Sequence, residues 1–212
     1  MTAPFRGLGH ATILVPGPPS VAVDPWRRLD DKLKADVVLV THGHFDHCSE
    51  DDIAAMSHER TIVVGPPSVE RRLRAAFGGR LRVAREGDDL DVLGARVRAL
   101  PAEGPPRAGG FHPRGDGASY FVSVAGATYL FLGDSVALRE HEMLAPDVAF
   151  FAVGGLAVMD PGEAADAAAL VRAKLAVPVH WGDLNGRFDL AARFATLCRG
   201  RGVAAQAKPG KE

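Results

Sequence analysis

Cysteine is almost absent from this chain: Cys48 and Cys198 are the only two among 212 residues. Two thiols are too few for a disulfide framework and fit a reducing compartment, so the cytoplasm is the expected address. Long apolar runs are absent as well. Met1 to Phe5 opens no secretory segment and nothing later approaches 18 consecutive apolar residues, so neither export nor a membrane span is expected. Charge of one sign is not in excess either. A formal net charge of -1 and a pI near 6.7 give no global pull toward nucleic acid or anionic lipid. No internal repeat is present. With 47% hydrophobic residues and a mean hydropathy of +0.01, residues 1–212 suffice for one substantial core and are expected to form one domain.

What the chain does have is metal-ligand density. Three imidazoles and a carboxylate crowd the segment His42, Gly43, His44, Phe45, Asp46, His47, directly after the apolar run Val37 to Val40. Neutral imidazole and ionised carboxylate are the side chains from which zinc, iron and manganese take their bonds. His42 and His44, two apart, suit one ion; Asp46 and His47 face elsewhere on the same turn and suit a second. A pair of ions can share a hydroxide and polarise a substrate oxygen together, which is the logic of two-metal hydrolysis.

Strands are expected at Ala11 to Val15 and Val21 to Asp24, joined by a proline-rich turn, then at Val37 to Val40, Thr61 to Val64, Leu81 to Ala84 and Arg96 to Leu100. Ser49 and Asp52 resemble a capping pair for a short helix to about Met56, and Ser68 is the candidate cap of a helix from Val69 to Phe77. Pro101 to Gly117 has neither helical nor strand periodicity and reads as an active-site flap. Tyr120 to Val124 and Thr128 to Leu132 form a hairpin that delivers Asp134; Val148 to Val153 is a further strand. Asp160, Pro161 and Glu163 open an alanine-rich helix running to about Leu175, and Ala176 to Val179 delivers His180. A last helix from Leu190 to about Leu197 precedes a short strand, Val203 to Ala207, and a frayed tail, Lys208 to Glu212.

Three strands thus end in a potential ligand, before His42, before Asp134 and before His180, and strand ends are rigid enough to hold a metal geometry. With these residues, and with Gly9 to Thr12, Val23 to Pro25, Gly133 to Ser135 and Val177 to Gly182, the chain resembles the metallo-β-lactamase fold superfamily. It is similar to the compact branch related to L-ascorbate-6-phosphate lactonase and N-acyl-phosphatidylethanolamine phospholipase D. The resemblance implies an α/β fold, a four-layer αββα sandwich. It also implies His42 and His44 on the first metal, Asp46, His47 and His180 on the second, and Asp134 between them. The superfamily's third histidine for the first metal has no counterpart in Leu100 to Gly104. Either Glu103 substitutes, or His112 reaches in from the flap, the reading favoured here, or the first metal is weakly held. His112 could equally contact substrate or donate a proton.

The expected function is a metal-dependent hydrolase acting through a metal-bound hydroxide on a small ester, lactone or phosphorylated metabolite. Asp46, Asp134 and His112 are its candidate catalytic residues, and two divalent ions its cofactors, Zn2+ first, then Mn2+ or Fe2+. A small molecule is the expected partner, with neither nucleic acid nor membrane; oligomeric state is left open. The alternatives are a phosphodiesterase or nuclease, and a metal-binding protein without turnover. Arg71, Arg72, Arg74, Arg80, Arg82 and Arg85 motivate the nuclease but read better as a solvated face, with no aromatic interleaving. His10 either contacts a ligand or substrate or is packing; Asp24 either orients the ligand loop or serves a turn. Trp181 and Asp183 are expected on the pocket rim or in packing. His58 and His141, among charged neighbours, are expected on the surface, and Cys48 and Cys198 in the core.

Overall fold

A computed structural model describes residues 3–27, 32–182, 184 and 186–207. The expectations for Asp183 and for the Lys208 to Glu212 tail lie outside these residues. The first sheet orders its strands as the sequence does: β1 (Arg6–Gly9), β2 (Thr12–Val15), β3 (Val21–Val23), β4 (Ala35–Leu39), β5 (Ser57–Gly65) and β6 (Leu81–Val83). The second sheet likewise keeps chain order through β7 (Asp89–Val92), β8 (Ala95–Pro101), β9 (Ala118–Val124), β10 (Ala127–Phe131), β11 (Val148–Ala152), β12 (Leu175–Val179) and β13 (Ala204–Ala205). Each is mixed, with parallel pairing from β3 to β6 and from β10 to β13. The helices are α1 (Glu50–Met56), α2 (Glu70–Phe77), α3 (Pro161–Leu170) and α4 (Leu190–Gly200).

Alternation along the strands sorts their side chains into three cores. Val37 and Leu39 of β4 meet Tyr129 and Phe131 of β10 and Phe150 of β11 between the sheets. Val38, with Val40 just beyond the strand, turns outward onto Ile53 of α1 and Leu73 of α2. Leu130, Leu132 and Phe151 face the other way, onto Ala164 and Ala168 of α3 and Phe194 of α4. The layers therefore run helix, sheet, sheet, helix, the expected αββα sandwich. Cys48 and Cys198 lie in the two outer cores as free thiols. Among the described residues no helix is long and apolar enough to cross a membrane.

Local chemistry fixes the helix starts. The Ser49 side chain accepts from the Asp52 amide at 3.3 Å, and Asp160 with Glu163 forms a reciprocal capping box with Pro161 in the first turn. Elsewhere the structure departs from expectation. Ser68 is not a helix cap: Pro67–Val69 form a 3-10 turn ahead of α2, and the Ser68 hydroxyl donates instead to the Asp116 carbonyl. The alanine-rich α3 stops at Leu170 rather than near Leu175, because Arg172 turns left-handed and Leu175 is already paired with Val148. Two edge strands, β1 and β7, were not expected from their glycine-rich and acidic sequences. His141 is fully buried rather than on the surface, its Nδ1 accepting from the Leu138 amide at 2.9 Å. His58 is half-buried beside Asp36.

Candidate metal centre

The segment after β4 cannot continue as strand, since it must turn its polar side chains toward one point. His47 and Cys48 amides donate to the His44 carbonyl at 3.1 and 2.8 Å, closing a tight turn that ends at the Ser49 cap of α1. Arg72 of α2 braces this turn. Its guanidinium donates to the Gly43 carbonyl at 3.1 Å and to that of Cys48, while pairing with Glu50. Read in sequence as part of a solvated basic face, Arg72 thus supports the ligand loop; only its i, i+1 setting among arginines was visible beforehand.

Two quartets of donors result. In the first, His44 Nδ1 lies 3.0 Å from His42 Nε2 and 3.1 Å from His112 Nε2, and Asp134 Oδ2 lies 3.2 Å from His112 Nε2 and 3.7 Å from His42 Nε2. In the second, Asp46 Oδ2 lies 2.9, 3.4 and 3.8 Å from Nε2 of His10, His180 and His47 respectively. Asp134 also reaches this group, with Oδ2 3.4 Å from His180 Nε2 and Oδ1 3.3 Å from His47 Nε2. Donors sharing one tetrahedral ion at about 2.0–2.1 Å lie about 3.3 Å apart, so these separations fit a divalent cation in each quartet. His47 Nε2 and Asp134 Oδ1 are buried with no hydrogen-bond partner among the described residues, which is the state of atoms arranged to bind something else.

The surrounding hydrogen bonds set which ring nitrogen faces inward. Asp24 accepts from the Thr41 amide at 2.8 Å, the Thr41 hydroxyl at 2.6 Å and His47 Nδ1 at 2.8 Å. Since the Thr41 hydroxyl donates to Asp24, it accepts from His42 Nδ1 at 3.0 Å. His112 Nδ1 donates to the Ala157 carbonyl at 3.1 Å. His42, His47 and His112 therefore all present Nε2 to the centre, the arrangement by which outer partners fix the tautomer of metal-binding histidines. Asp24 orients the loop, as one of its two sequence readings held.

Charge in the centre is tightly balanced. Burial alone would raise the Asp134 carboxyl, but His180, His47, His112 and His42 hold it well below the usual range. Asp46 is likewise held low against its burial by His10 and His180. Burial would lower His47, yet Asp134, Asp24 and Asp46 outweigh it and push its pKa up to about 9. Burial and the neighbouring His47 drive His42 well down. Positive charge is thus favoured beside the carboxylates, at His47 and His180, and disfavoured at His42.

Close packing leaves the geometry little slack. A Cβ on Gly104 would stand 2.9 Å from that of His112, one on Gly117 3.2 Å from that of His42, and one on Gly154 2.7 Å from the His180 carbonyl oxygen. His10, Asp24 and His180 all adopt left-handed backbone, with φ of 47°, 45° and 58°. Such conformations cost non-glycine residues roughly 1 kcal/mol or more each and concentrate at functional sites.

The flap, 101–117, is ordered and stitched down. The Gly104 amide donates to the His112 carbonyl at 2.8 Å, Arg107 pairs with Glu163 and donates to the Val158 carbonyl at 2.7 Å, and Arg114 bridges Glu86 and Glu140. It carries His112 into the first quartet. Glu103 joins neither quartet; its side chain is exposed and its backbone bonds Ser135. His10, ambiguous in sequence, sits in the second quartet, its ring 4.1 Å from that of His180. Trp181 is half-buried, donating from Nε1 to the Pro178 carbonyl and meeting Phe188 edge-on. Three further members of the basic cluster are engaged locally, Arg74 with Glu70, Arg80 with the His58 carbonyl and Arg82 with the Gly79 carbonyl.

Residues 6–180 match the family model described as the beta-lactamase superfamily domain. The chain is 30% identical over 188 residues to a UPF0173 metal-dependent hydrolase of Methanoculleus marisnigri, covering 82% of this chain and 79% of that one. It is 27% identical over 217 residues to one from Koribacter versatilis, covering 90% and 91%. Among solved structures, Igni18, a metallo hydrolase of Ignicoccus hospitalis, is similar at a TM-score of 0.78 and 21% identity over 98% of this chain and 95% of that chain. CmlA, a diiron β-hydroxylase of Streptomyces venezuelae, shares the fold at a TM-score of 0.74 and 14% identity over 95% and 52%. Sequence match and architecture agree: the chain belongs to the metallo-β-lactamase superfamily, as a UPF0173 metal-dependent hydrolase.

Proposed function

We propose that the two quartets hold two divalent cations, zinc ahead of manganese or iron, and that residues 1–212 act as one cytoplasmic domain hydrolysing a small ester, lactone or phosphorylated metabolite. The observation that carries this reading is Asp134 Oδ2, which lies within 3.2–3.7 Å of donors from both quartets. His42, His44 and His112 would hold the first ion, Asp46, His47, His180 and His10 the second, with Asp134 shared. When bound, such ions supply Lewis acidity toward a substrate oxygen and lower the pKa of a coordinated water.

The chain's own groups do the rest. Asp24, through Thr41 and His47, fixes the imidazoles so that no reorganisation is needed during turnover. Asp134 and Asp46, the candidate catalytic carboxylates, are both held ionised by the histidines around them, the state in which a carboxylate binds a cation. His112 completes the first quartet, which removes the motive for a metal-binding protein without turnover. Resemblance to the lactonase branch through Gly9 to Thr12 and Val177 to Gly182 fits ester or lactone chemistry, because these segments carry His10 and His180. Partners other than a small molecule gain no support from the arginine cluster, whose members Arg72, Arg74 and Arg80 are engaged within the chain.

Metal analysis with a screen of generic esters, lactones and bis-p-nitrophenyl phosphate tests the reading. The wild type should carry two ions per chain and turn over at least one substrate. Replacing Asp134 and His180 together by alanine should leave less than one ion and abolish turnover; full occupancy in that variant would overturn the assignment. His112→Ala should weaken the first ion at least tenfold, whereas Glu103→Gln should leave it unchanged.

A further inference from the structure

Eight large apolar side chains are exposed among the described residues, and five of them, Phe45, Phe111, Leu156, Leu184 and Phe188, lie on the loops that carry or brace the quartets. Phe45 stands between His44 and Asp46, and Phe111 precedes His112 with its ring 4.8 Å from that of His44. Leu156 adjoins Ala157, whose carbonyl orients His112. Leu184 and Phe188 follow His180, and the Phe188 ring presses on Gly182, where a Cβ would stand 2.6 Å from it. These side chains are 48% to 84% exposed, and Phe111 is the one of the five that lines the cavity beside the first quartet.

Beside Phe111 opens a cavity of about 150 Å³ that ends on His42, His44, His112 and Asp134. Ala102, Pro113 and Leu132 contribute apolar wall to it. A cavity of about 150 Å³ is the size that takes a benzene ring, so its occupant is a part of a small molecule and not a membrane or a protein surface. Its charge excludes another class. No lysine or arginine lines it, and besides Asp134 the formally charged side chains that do are Glu103 and Asp116, both acidic. The nearby flap cations are already committed, Arg107 to Glu163 and Arg114 to Glu86 and Glu140. Apart from the ions that the quartets would hold, which face the group to be cleaved, a phosphate or carboxylate elsewhere on the substrate would meet like charge along this wall with no side-chain cation to answer it.

We infer that the substrate carries an uncharged apolar group, a short alkyl chain or a single aryl ring, which enters this cavity past Phe111 and places its ester, lactone or related carbonyl at the quartets. The inference rests on the hydrolase reading above and narrows it, removing phosphorylated metabolites. Apolar contact rewards each buried methylene, so selectivity should climb with chain length until the cavity is full.

Two measurements on the zinc-loaded protein test this. In the first, kcat/KM for p-nitrophenyl acetate, butyrate and hexanoate should rise about three- to tenfold for each two methylenes added. Phe111→Ser, at an exposed position on the cavity wall, should reduce that gain to less than twofold. A flat or falling series in the wild type, or faster cleavage of p-nitrophenyl phosphate, would overturn the inference. In the second, saturation-transfer NMR should show 2-phenylethanol binding in preference to glycerol 3-phosphate, with Phe111→Ser weakening it at least fivefold. The reverse preference, or binding to phosphatidylcholine vesicles without binding of 2-phenylethanol, would overturn it. Binding of 2-phenylethanol with no turnover of any ester would instead sink the hydrolase reading and leave the apolar cavity standing.

Discussion

His141 and His47 are both wholly buried, yet their protons behave oppositely. The three carboxylates around His47 push its pKa up to about 9, whereas burial pushes His141 down to about 4, with only Pro101 and Glu140 acting the other way. In the unfolded chain His141 takes a proton near the usual 6.5, before the folded protein does. Stability is therefore fully present above pH 6.5 and drains away as pH falls toward 4, by about 3 kcal/mol from this residue. His141→Asn keeps an acceptor for the Leu138 amide without titrating. Urea unfolding at pH 7 and pH 4 should show the wild type losing about 3 kcal/mol more than the variant; equal losses would refute the account. The sequence hid His141 because Arg139, Glu140 and Glu142 around it are surface types, and residue chemistry alone does not say which way a 3-10 turn faces. His42, His44, Asp46 and His47 were legible for the opposite reason: ligand density within one turn needs no partner from elsewhere to be noticed. His10 and Asp24 stayed ambiguous because what they hold, Asp46 and Thr41 with His47, is distant in the chain.

At the level of elements, strands with β-branched alternation and helices with side-chain caps were readable, since their signals are local. The failures came where tertiary pairing overrode propensity. Alanine and leucine would extend α3, but β12 must begin at Leu175 to pair with β11, so the helix ends five residues earlier, at Leu170. β1 and β7 pair despite Gly7, Gly9, Asp89 and Asp91, because a neighbouring strand supplies the register. The link after β11 is equally constrained: Gly154 lets it pass against His180, where a Cβ would stand 2.7 Å from the carbonyl oxygen. Gly154→Ala should displace His180 and weaken the second ion at least tenfold while the first remains, as read by metal titration. Retention of both ions at wild-type affinity would show that the link has room to move.

Across the whole molecule, the two sheets are joined by apolar packing and by buried polar ties, among them the Ala118 amide donating to the Thr41 carbonyl at 2.8 Å and the Tyr120 hydroxyl of β9 donating to the Val40 carbonyl beyond β4 at 2.9 Å. Tyr120→Phe leaves that carbonyl without its donor and should lower the unfolding free energy by about 1–2 kcal/mol in urea titrations, with an unchanged value arguing that the tie contributes nothing. The layered architecture was legible from strand and helix order together with the resemblance; the closure of the first quartet by His112 was only one of the open alternatives, because the flap has no periodicity to anchor it. Each quartet draws on both halves of the sandwich: His42 and His44 with His112 and Asp134, and His10, Asp46 and His47 with His180. Neither half alone assembles a complete set of donors. A half-docked polypeptide accordingly offers at most three of a quartet's donors, so the full grip on a cation waits until the two halves close on one another.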